Sequence, residues 1–401
     1  MFCFECGGRE YSPMAPLVIA EIGTAHQGSR EKARELINRA AEAGANCIKF
    51  QWVYAREILH PLTGKVSLPG GSVSLYEEFK KLEQTVGFYS FLKEETEKTG
   101  ALFLCSPFGP ESLSELLSLA PVAVKIASPE LNYFQLIKKA TLSGLPLILS
   151  TGVSKPKDIE NSINWIKEAL YRPDGVKTYN PQDKSLPDSK LKGSHLLFLH
   201  CVTSYPAREE EYNLSLIGKM EKATGFSWGV SDHSLDPVLV PLLSLLQGGC
   251  AVEKHFTLSN LDSGLDDKIA LSPEKFKIMT EALKEGVLAI REGSEEKLLN
   301  ELFKVYGKKR IISVLGNGRK KLSKSEKKNY KRTNRSVHAM VDLKKGHLLK
   351  TEDLGILRTE KILSPGDPPV NLEKILGKEL KKDIKAGMGI RQKDVRAART
   401  L

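Results

Sequence analysis

The chain lacks long apolar runs and has few cysteines. None of its apolar stretches approaches the roughly 20 residues that a membrane-spanning helix needs, so no membrane association is expected. Its first residues show no charged segment followed by a long apolar one, which argues against a secretory signal. With 41% hydrophobic and 27% charged residues, the composition is that of an ordinary globular protein. We therefore expect a cytoplasmic location.

The six cysteines are too few and too scattered along 401 residues to indicate a disulfide framework. Cys3 and Cys6 form a C-x-x-C motif, but no second pair and no histidine pair stands nearby to complete a zinc site. The other four thiols lie in or beside apolar runs, where a reduced thiol behaves as a small hydrophobic group: Cys47, Cys105, Cys201 and Cys250.

Positive charge is concentrated in one segment. The net charge is +11, yet the stretch from Lys304 to Arg335 alone holds 13 basic residues and one acidic residue, Glu326. A charge run confined to one polar segment is typical of a solvated linker. No aromatic RNA motif or helix-turn-helix pattern accompanies it, so we expect a basic linker over residues 293–333 and no nucleic-acid partner. RNA binding that weakened steeply with salt would contradict this expectation.

Residues 1–292 alternate short apolar runs with longer segments of helical periodicity. Eight such β-then-α units match the usual size of a (β/α)8 TIM barrel, because strands apolar on both faces are typical of a buried parallel sheet. An open doubly wound sheet built from the same units is the alternative. The eight runs are LVIAEI (17–22), NCIKFQ (46–51), ALFLCS (101–106), VAVKIAS (122–128), PLILST (146–151), HLLFLHC (195–201), SWGVSD (227–232) and CAVEKHF (250–256).

Two stretches interrupt this alternation, and a different pattern follows the basic segment. Leu62–Leu75 and Tyr171–Gly193 are predicted to be surface loops because turn-forming and polar residues dominate them. Beyond the linker, LKKGHLLKTEDL and IKAGMGIRQKDV share one pattern, a Lys-x-Gly turn followed by an apolar residue and a polar stretch. Residues 334–401 are therefore predicted to form a compact second domain that contains two copies of this turn.

Polar residues stand at or just after the carboxyl end of every predicted strand, where barrel enzymes place their chemistry. Lysines and hydroxyls that face one mouth favour a phosphorylated anion, and two histidines on neighbouring strands can share a divalent metal. Carboxylates beside them could hold hydroxyls or move protons, so the set suggests carbon–carbon bond formation at an aldehyde. In chain order these residues are Glu21, His26, Lys49, Gln51, Ser106, Lys125, Ser128, Ser150, Thr203, Tyr205, Asp232, His233, Glu253 and His255.

At these strand ends the sequence resembles the sialic acid synthase family, which includes N-acetylneuraminate synthases and their legionaminate, pseudaminate and spore-coat relatives. The C-terminal part resembles the family's antifreeze-like (SAF) domain through RSVHAMVDLKKGHLLKTEDL and GKELKKDIKAGMGI. The barrel motifs that carry the resemblance are AEIGTAHQG (20–28), IKFQ (48–51), CSPF (105–108), KIASPE (125–130), LSTG (149–152), LHCVTSYPA (199–207), SDHSLD (231–236) and EKHFTL (253–258).

The resemblance implies a condensation of phosphoenolpyruvate with an N-acyl amino sugar such as N-acetylmannosamine, which gives a nine-carbon sialic-type acid. It implies that His233 and His255 hold a divalent metal, usually Mn²⁺, with Mg²⁺ or Co²⁺ as alternatives. It places the phosphate near Ser106, Lys125, Ser128 and Ser150, with Lys49 beside the phosphate or carboxylate. It also implies that the open-chain sugar or the waters on the metal are contacted by Glu21, Gln51, Tyr205, Glu253 and Asp266.

The resemblance also implies a domain-swapped homodimer. In that arrangement Arg358 of one chain would enter the partner's barrel and approach Tyr205 and Glu253 there. Sugar identity stays open, because Thr203 stands where neuraminate-type enzymes usually carry Asn. A pseudaminate or legionaminate synthase that acts on a 6-deoxy diacylamino sugar is one alternative. A carbohydrate-binding protein without catalysis is another, although it would have no need of a metal site and a phosphate site together.

Overall fold

The structure, a computed structural model, describes residues 3–68, 71–171 and 192–398. The strands are β1 (Phe4–Cys6), β2 (Arg9–Tyr11), β3 (Leu17–Gly23), β4 (Cys47–Trp52), β5 (Lys65–Leu68), β6 (Gly71–Ser74), β7 (Leu102–Pro107), β8 (Val124–Ile126), β9 (Leu147–Ser150), β10 (Leu196–Cys201), β11 (Ser227–Asp232), β12 (Ala251–His255), β13 (Arg335–Ala339), β14 (Leu354–Arg358), β15 (Glu379–Leu380) and β16 (Val395–Arg396). The α-helices are α1 (Arg30–Glu42), α2 (Ala55–Ile58), α3 (Leu75–Lys81), α4 (Val86–Lys98), α5 (Pro110–Ser118), α6 (Phe134–Leu142), α7 (Pro156–Tyr171), α8 (Leu216–Thr224), α9 (Leu239–Leu246), α10 (Pro273–Glu292), α11 (Glu295–Tyr306), α12 (Lys308–Leu315) and α13 (Leu372–Ile375).

Eight parallel strands form one sheet in the order β7-β4-β3-β12-β11-β10-β9-β8. The two ends of this order, β7 and β8, pack against each other, so the sheet nearly closes into a barrel. At least one α-helix follows each strand, and each of the eight apolar runs in the sequence contains one of these strands. The predicted (β/α)8 barrel is therefore confirmed, and the open sheet is excluded.

Helix α1 shows how the sequence produces these units. Ser29 caps its first turn by accepting a hydrogen bond from the Lys32 amide. Its buried face repeats at three- and four-residue intervals through Ala33, Leu36, Ile37 and Ala40. Gly44, with φ of 99°, lies just beyond the helix and lets the chain turn toward β4.

A short hairpin of β1 and β2 covers one end of the barrel. Gly7 and Gly8 both have positive φ, as a two-residue hairpin turn with the twist of its strands requires. Phe4, Cys6 and Tyr11 are buried in a cluster with the first residues of several barrel strands, among them Leu17 and Cys47. The C-x-x-C motif therefore belongs to this hairpin, where Cys6 acts as a hydrophobic group.

The two predicted surface loops have different outcomes. Within 62–75, β5 and β6 form an antiparallel hairpin, so the prediction of an irregular loop is wrong for that stretch. The alternation of Val66 and Val73 with polar residues gave a strand signal that the surrounding glycines and prolines outweighed. The second predicted loop, Tyr171–Gly193, lies almost entirely outside the described residues.

The basic segment 293–333 is more ordered than a solvated linker. It contains α11 and α12, which bury Leu302, Ile311 and Val314 against the barrel. The prediction of a linker considered only the number of charges. It therefore overlooked the apolar residues that stand between the basic ones at helical spacing. The following stretch, residues 316–334, forms no further helix but is also fixed, since Lys320 and Glu326 are buried.

The small domain is built around a repeated turn, as predicted. Leu343 bridges Ile384, and each copy binds the other: Asp342 pairs with Lys385 at 2.7 Å and Asp383 with Lys344 at 3.0 Å. Apolar residues from both copies share one core, which consists of Val337, Ala339, Leu343, Leu349, Ile375, Leu380, Ile384, Ile390 and Val395. None of the helices in the described ranges combines the length and apolarity needed to cross a bilayer.

Candidate active site

One cavity of about 250 Å³ opens at the carboxyl ends of the barrel strands. Side chains two residues apart on a strand share one face, which brings Lys49 and Gln51, or Glu253 and His255, into the cavity together. Two of the strand-end residues named from the sequence do not line the cavity: His26 Nδ1 accepts from the Gly28 amide at 3.1 Å, and Asp232 pairs with the buried Lys254. The thirteen residues to which the resemblance gives a role all line it. They are Glu21, Lys49, Gln51, Ser106, Lys125, Ser128, Ser150, Tyr205, His233, Glu253, His255, Asp266 and Arg358.

The side of the cavity formed by β4, β7, β8 and β9 carries fixed cations and hydroxyls. Lys125 donates to the Ser150 hydroxyl at 2.7 Å, and its Nζ lies 3.6 Å from Glu253 Oε2. Lys49 Nζ lies 2.7 Å from Glu21 Oε2. The Ser106 hydroxyl is buried and has no hydrogen-bond partner among the described residues. An unsatisfied buried donor beside two lysines is suited to an anionic ligand.

Burial and opposite charge compete in this cluster. Burial lowers the pKa of Lys125 below its ordinary value, although Glu253 opposes the shift. Burial also disfavours the charged form of Lys49, but Glu21 and Glu253 outweigh it and raise the pKa of Lys49. Against its own burial, Glu253 has a pKa lowered to about 2 by Lys125 and Lys49. Of the two lysines, Lys125 therefore holds its proton less firmly.

Two imidazoles face each other across the opposite side of the cavity. The ring centroids of His233 and His255 are 5.4 Å apart, and the Tyr205 ring stacks on His233 at 4.2 Å. His233 Nδ1 donates to the Val202 carbonyl at 2.8 Å, which leaves Nε2 for another partner. His255 Nδ1 lies 3.6 Å from Asp266, and burial lowers the pKa of His255.

These features fit a divalent metal, because the spacing permits two imidazole nitrogens to reach one ion and a carbonyl orients one ring. Burial by itself would lower the pKa of His233, but Cys201 outweighs it and raises the pKa to about 9. A metal cation bound at Nε2 would take the place of the proton on that nitrogen. Among the described residues no three or more His, Cys, Asp or Glu side chains form a ready ligand set. The remaining ligands would therefore come from water or substrate.

Arg358 differs from its expected position. The resemblance places it in a partner's barrel, whereas here it lies in the cavity of its own chain and donates to Glu130 at 2.8 Å and 3.1 Å. The reason is that residues 316–334 bind their own barrel and leave no free length before β13. Arg335, the first residue of β13, is itself buried and paired with Glu130 at 2.8 Å. The homodimer itself stays a prediction.

Sequence reasoning missed several residues that line or support the cavity. Cys201 was predicted to be a core thiol, yet it lines the cavity, with Sγ 3.8 Å from His233 Nδ1. Ser231 donates to Glu253 at 2.9 Å, and Glu130 sits behind Arg358. The position of Ser231, two residues before His233 on the same face, was a usable signal. Phe79 and Leu265 come from connecting segments, and no strand-end pattern could have identified them.

The fold and this cavity define a class, the (β/α)8-barrel proteins that carry a SAF domain and a mouth lined by buried lysines and hydroxyls. Two family descriptions match the chain: the NeuB family over residues 36–295 and the SAF domain over residues 334–396. The chain belongs to the NeuB family. The resemblance to sialic acid synthases is thereby confirmed, as is the C-terminal SAF domain.

Relatives and solved structures agree with this assignment. The chain is 29% identical to the N,N'-diacetyllegionaminic acid synthase of Legionella pneumophila over 94% of this chain and 93% of the relative. It is 28% identical to the N-acetylneuraminate-9-phosphate synthase of Drosophila melanogaster, over 92% of each chain. The crystal structure of a spore coat polysaccharide biosynthesis protein from Bacillus subtilis superposes with a TM-score of 0.79 at 26% identity. That superposition covers 98% of this chain and 99% of the other.

Proposed function

We propose that the protein condenses phosphoenolpyruvate with an N-acyl amino sugar and water to give a sialic-type nonulosonate and phosphate. The observation that carries the proposal is the single cavity that joins a buried lysine–serine anion site to a pair of imidazoles. A phosphorylated enol and an aldehyde must lie side by side for carbon–carbon bond formation, and this cavity offers a surface for each. The names of the relatives support the same reaction type.

In this proposal Lys125, Ser150, Ser128 and Ser106 bind the phosphate, and Lys49 neutralises the remaining negative charge of phosphoenolpyruvate. Glu21 accepts a hydrogen bond from Gln51 Nε2 at 2.7 Å and would accept another from a sugar hydroxyl. Arg358 is fixed by Glu130 and presents a planar guanidinium to the acyl group. His233 and His255 would hold a divalent metal, proposed to be Mn²⁺, which when bound polarises the sugar aldehyde as a Lewis acid.

In the proposed reaction, C3 of phosphoenolpyruvate forms a bond to the aldehyde carbon, which leaves C2 positively charged. The aldehyde oxygen becomes a hydroxyl. Water adds its oxygen at C2, and its two protons end on the former aldehyde oxygen and on the departing phosphate. The bond from C2 to the phosphate oxygen breaks, its electron pair leaves with the phosphate, and C2 becomes a ketone carbon. The cavity walls limit access of further water to the cationic carbon while this occurs.

The sugar is the open part of the proposal. Leu265 and Phe79, both apolar, line the same cavity as Arg358 and the imidazoles. An apolar wall favours a methyl group over a hydroxymethyl group, which supports a 6-deoxy diacylamino sugar as the second candidate substrate. The Legionella relative, named for a diacetyllegionaminic acid, points the same way.

The test offers purified protein phosphoenolpyruvate, Mn²⁺, Mg²⁺ or Co²⁺, and a panel of N-acyl hexosamines and 6-deoxy diacylamino sugars. Product mass and phosphate release are read together. We expect stoichiometric phosphate and a nonulosonate from at least one sugar, with loss of activity on chelation. Sugar binding without phosphate release from any substrate would instead identify a carbohydrate-binding protein.

A further inference from the structure

The loop 150–154, which follows β9, has an unusual backbone. It begins with Ser150 of the anion site and contains Val153, whose φ is +42°. A β-branched residue in the left-handed region is strained and persists only where its surroundings fix it. The side chain of Val153 is fully buried and does not line the cavity. The strained conformation therefore affects the site through the path of the loop backbone and not through this side chain.

Residues from the segment 316–334 hold this backbone from behind. Lys320 Nζ donates to the Thr151 carbonyl at 2.7 Å. Glu326 Oε1 accepts from the Val153 amide at 2.7 Å, and Asn334 donates to the Val153 carbonyl at 3.3 Å. Both backbone polar groups of the strained residue are therefore bound by one segment. At 1% exposure, Glu326 is the most buried of the three.

The same carboxylate oxygen reaches a second wall of the cavity. Glu326 Oε1 also accepts from the Thr203 amide at 2.9 Å, so it joins the loops that follow β9 and β10. The other oxygen, Oε2, accepts from Ser323 at 3.1 Å, which orients the carboxylate. Next to Val153, the Gly152 amide donates to the Ser128 hydroxyl at 3.0 Å, so the loop is continuous with the anion site.

We propose that Glu326 is a positioning residue that holds loop 150–154 in the shape the phosphate site requires. It does not line the cavity, so its effect passes through Val153 and Gly152 to Ser128 and Ser150. This assignment also explains why one acidic residue, Glu326, stands among the 13 basic residues of the segment from Lys304 to Arg335. The kinetic part of the inference rests on the proposed function, whereas the structural part does not.

The primary test compares E326A with E326Q and with E301A, a control at an exposed glutamate on α11. E326A should raise the KM for phosphoenolpyruvate about tenfold or more, because two buried amides lose their acceptor. The sugar KM should rise by a smaller factor, because Glu326 reaches that part of the cavity only through the Thr203 amide. E326Q should lose less than E326A, because its amide oxygen can accept the same two N–H groups, while only the bond from the Ser323 amide is lost.

A suppressor separates positioning from general damage. Glycine adopts positive φ without strain, so V153G should restore a substantial part of the phosphoenolpyruvate affinity lost in E326A. If the affinity for phosphoenolpyruvate does not recover in the double variant, the proposed route through Val153 is wrong. If E326A does not fold, E326D replaces it, since that change withdraws the carboxylate by one methylene. Equal rises in both KM values would reduce Glu326 to a purely structural residue and overturn the proposal.

Amide hydrogen exchange supplies a readout that needs no substrate. In E326A, but not in E301A, exchange should accelerate in peptides covering 150–154 and 203. Unchanged exchange there would overturn the inference even if activity fell. If the wild type turns over no phosphoenolpyruvate but exchange responds as expected, the proposed function fails while the positioning role of Glu326 stands.

Discussion

The two sides of the cavity differ in burial. On the anion side, Lys125 is 1% exposed and Ser106 fully buried, and neighbouring strands and loop 150–154 fix their surroundings. On the opposite side, proposed to bind the sugar and called here the sugar side, His233 and His255 are also buried. Tyr205 and Leu265 on that side are 50% and 46% exposed, and both belong to connecting segments. Buried groups on strands cannot change without disturbing the barrel, whereas exposed loop groups can. Under the proposed function, the barrel would set the reaction type and the loops the choice of sugar.

The largest expected effect is on the anion side. Lys125→Ala should raise the KM for phosphoenolpyruvate about 30- to 1000-fold, because a charge-assisted bond to a buried phosphate is worth about 2–4 kcal/mol. The sugar KM should change far less. Steady-state kinetics against both substrates check this, with the exposed Lys157→Ala as the control. An unchanged phosphoenolpyruvate dependence would remove this lysine from the phosphate site.

Raising the pH should weaken the same side more gradually. Because burial lowers the pKa of Lys125, the free protein loses this charge at a lower pH than an ordinary lysine would. The affinity for phosphoenolpyruvate should therefore fall as pH rises, starting below the ordinary lysine pKa. In Lys125→Arg the guanidinium stays protonated, so the fall should move to higher pH. Identical profiles would assign the titration to another group.

The sugar side should respond with a smaller change in preference. Leu265→Ser should shift the ratio of kcat/KM between 6-deoxy and 6-hydroxy sugars about 2- to 5-fold toward the hydroxylated one, since a half-exposed side chain buries only part of its area. The KM for phosphoenolpyruvate should not move. Leu261→Ser, at a residue that is 96% exposed, provides the matched control. A changed phosphoenolpyruvate KM would contradict the division of the cavity into two sides.

The smallest expected effect concerns the small domain. With Arg358 in its own chain's cavity, mixing His233→Ala with Arg358→Ala protein should restore no activity, because every site keeps one defect. Activity that returns on mixing would show that the arginine crosses between subunits of a dimer. Mixed oligomers are verified by mass before the assay, so that a negative result is informative.

How much the sequence could predict depended on the range of the interactions. The eight strands followed from local apolar runs, and twelve of the thirteen cavity residues, all but Arg358, came together because parallel strands end on one side of a barrel. The repeated turn of the SAF domain was equally visible, since its pattern spans only twelve residues. The hairpin at 65–74 and the helices α11 and α12 were not predicted, because glycine and charge counts masked their periodicity.

By itself, the sequence determined the barrel, the small domain and the residue types at the strand ends, because these depend on short-range periodicity. Only the tertiary structure decided that Cys201 faces His233, that Arg358 lies in its own chain's cavity and that Glu326 reaches Val153 from 173 residues away. Such contacts depend on where distant segments meet once apolar surface is buried, and no local pattern encodes that meeting.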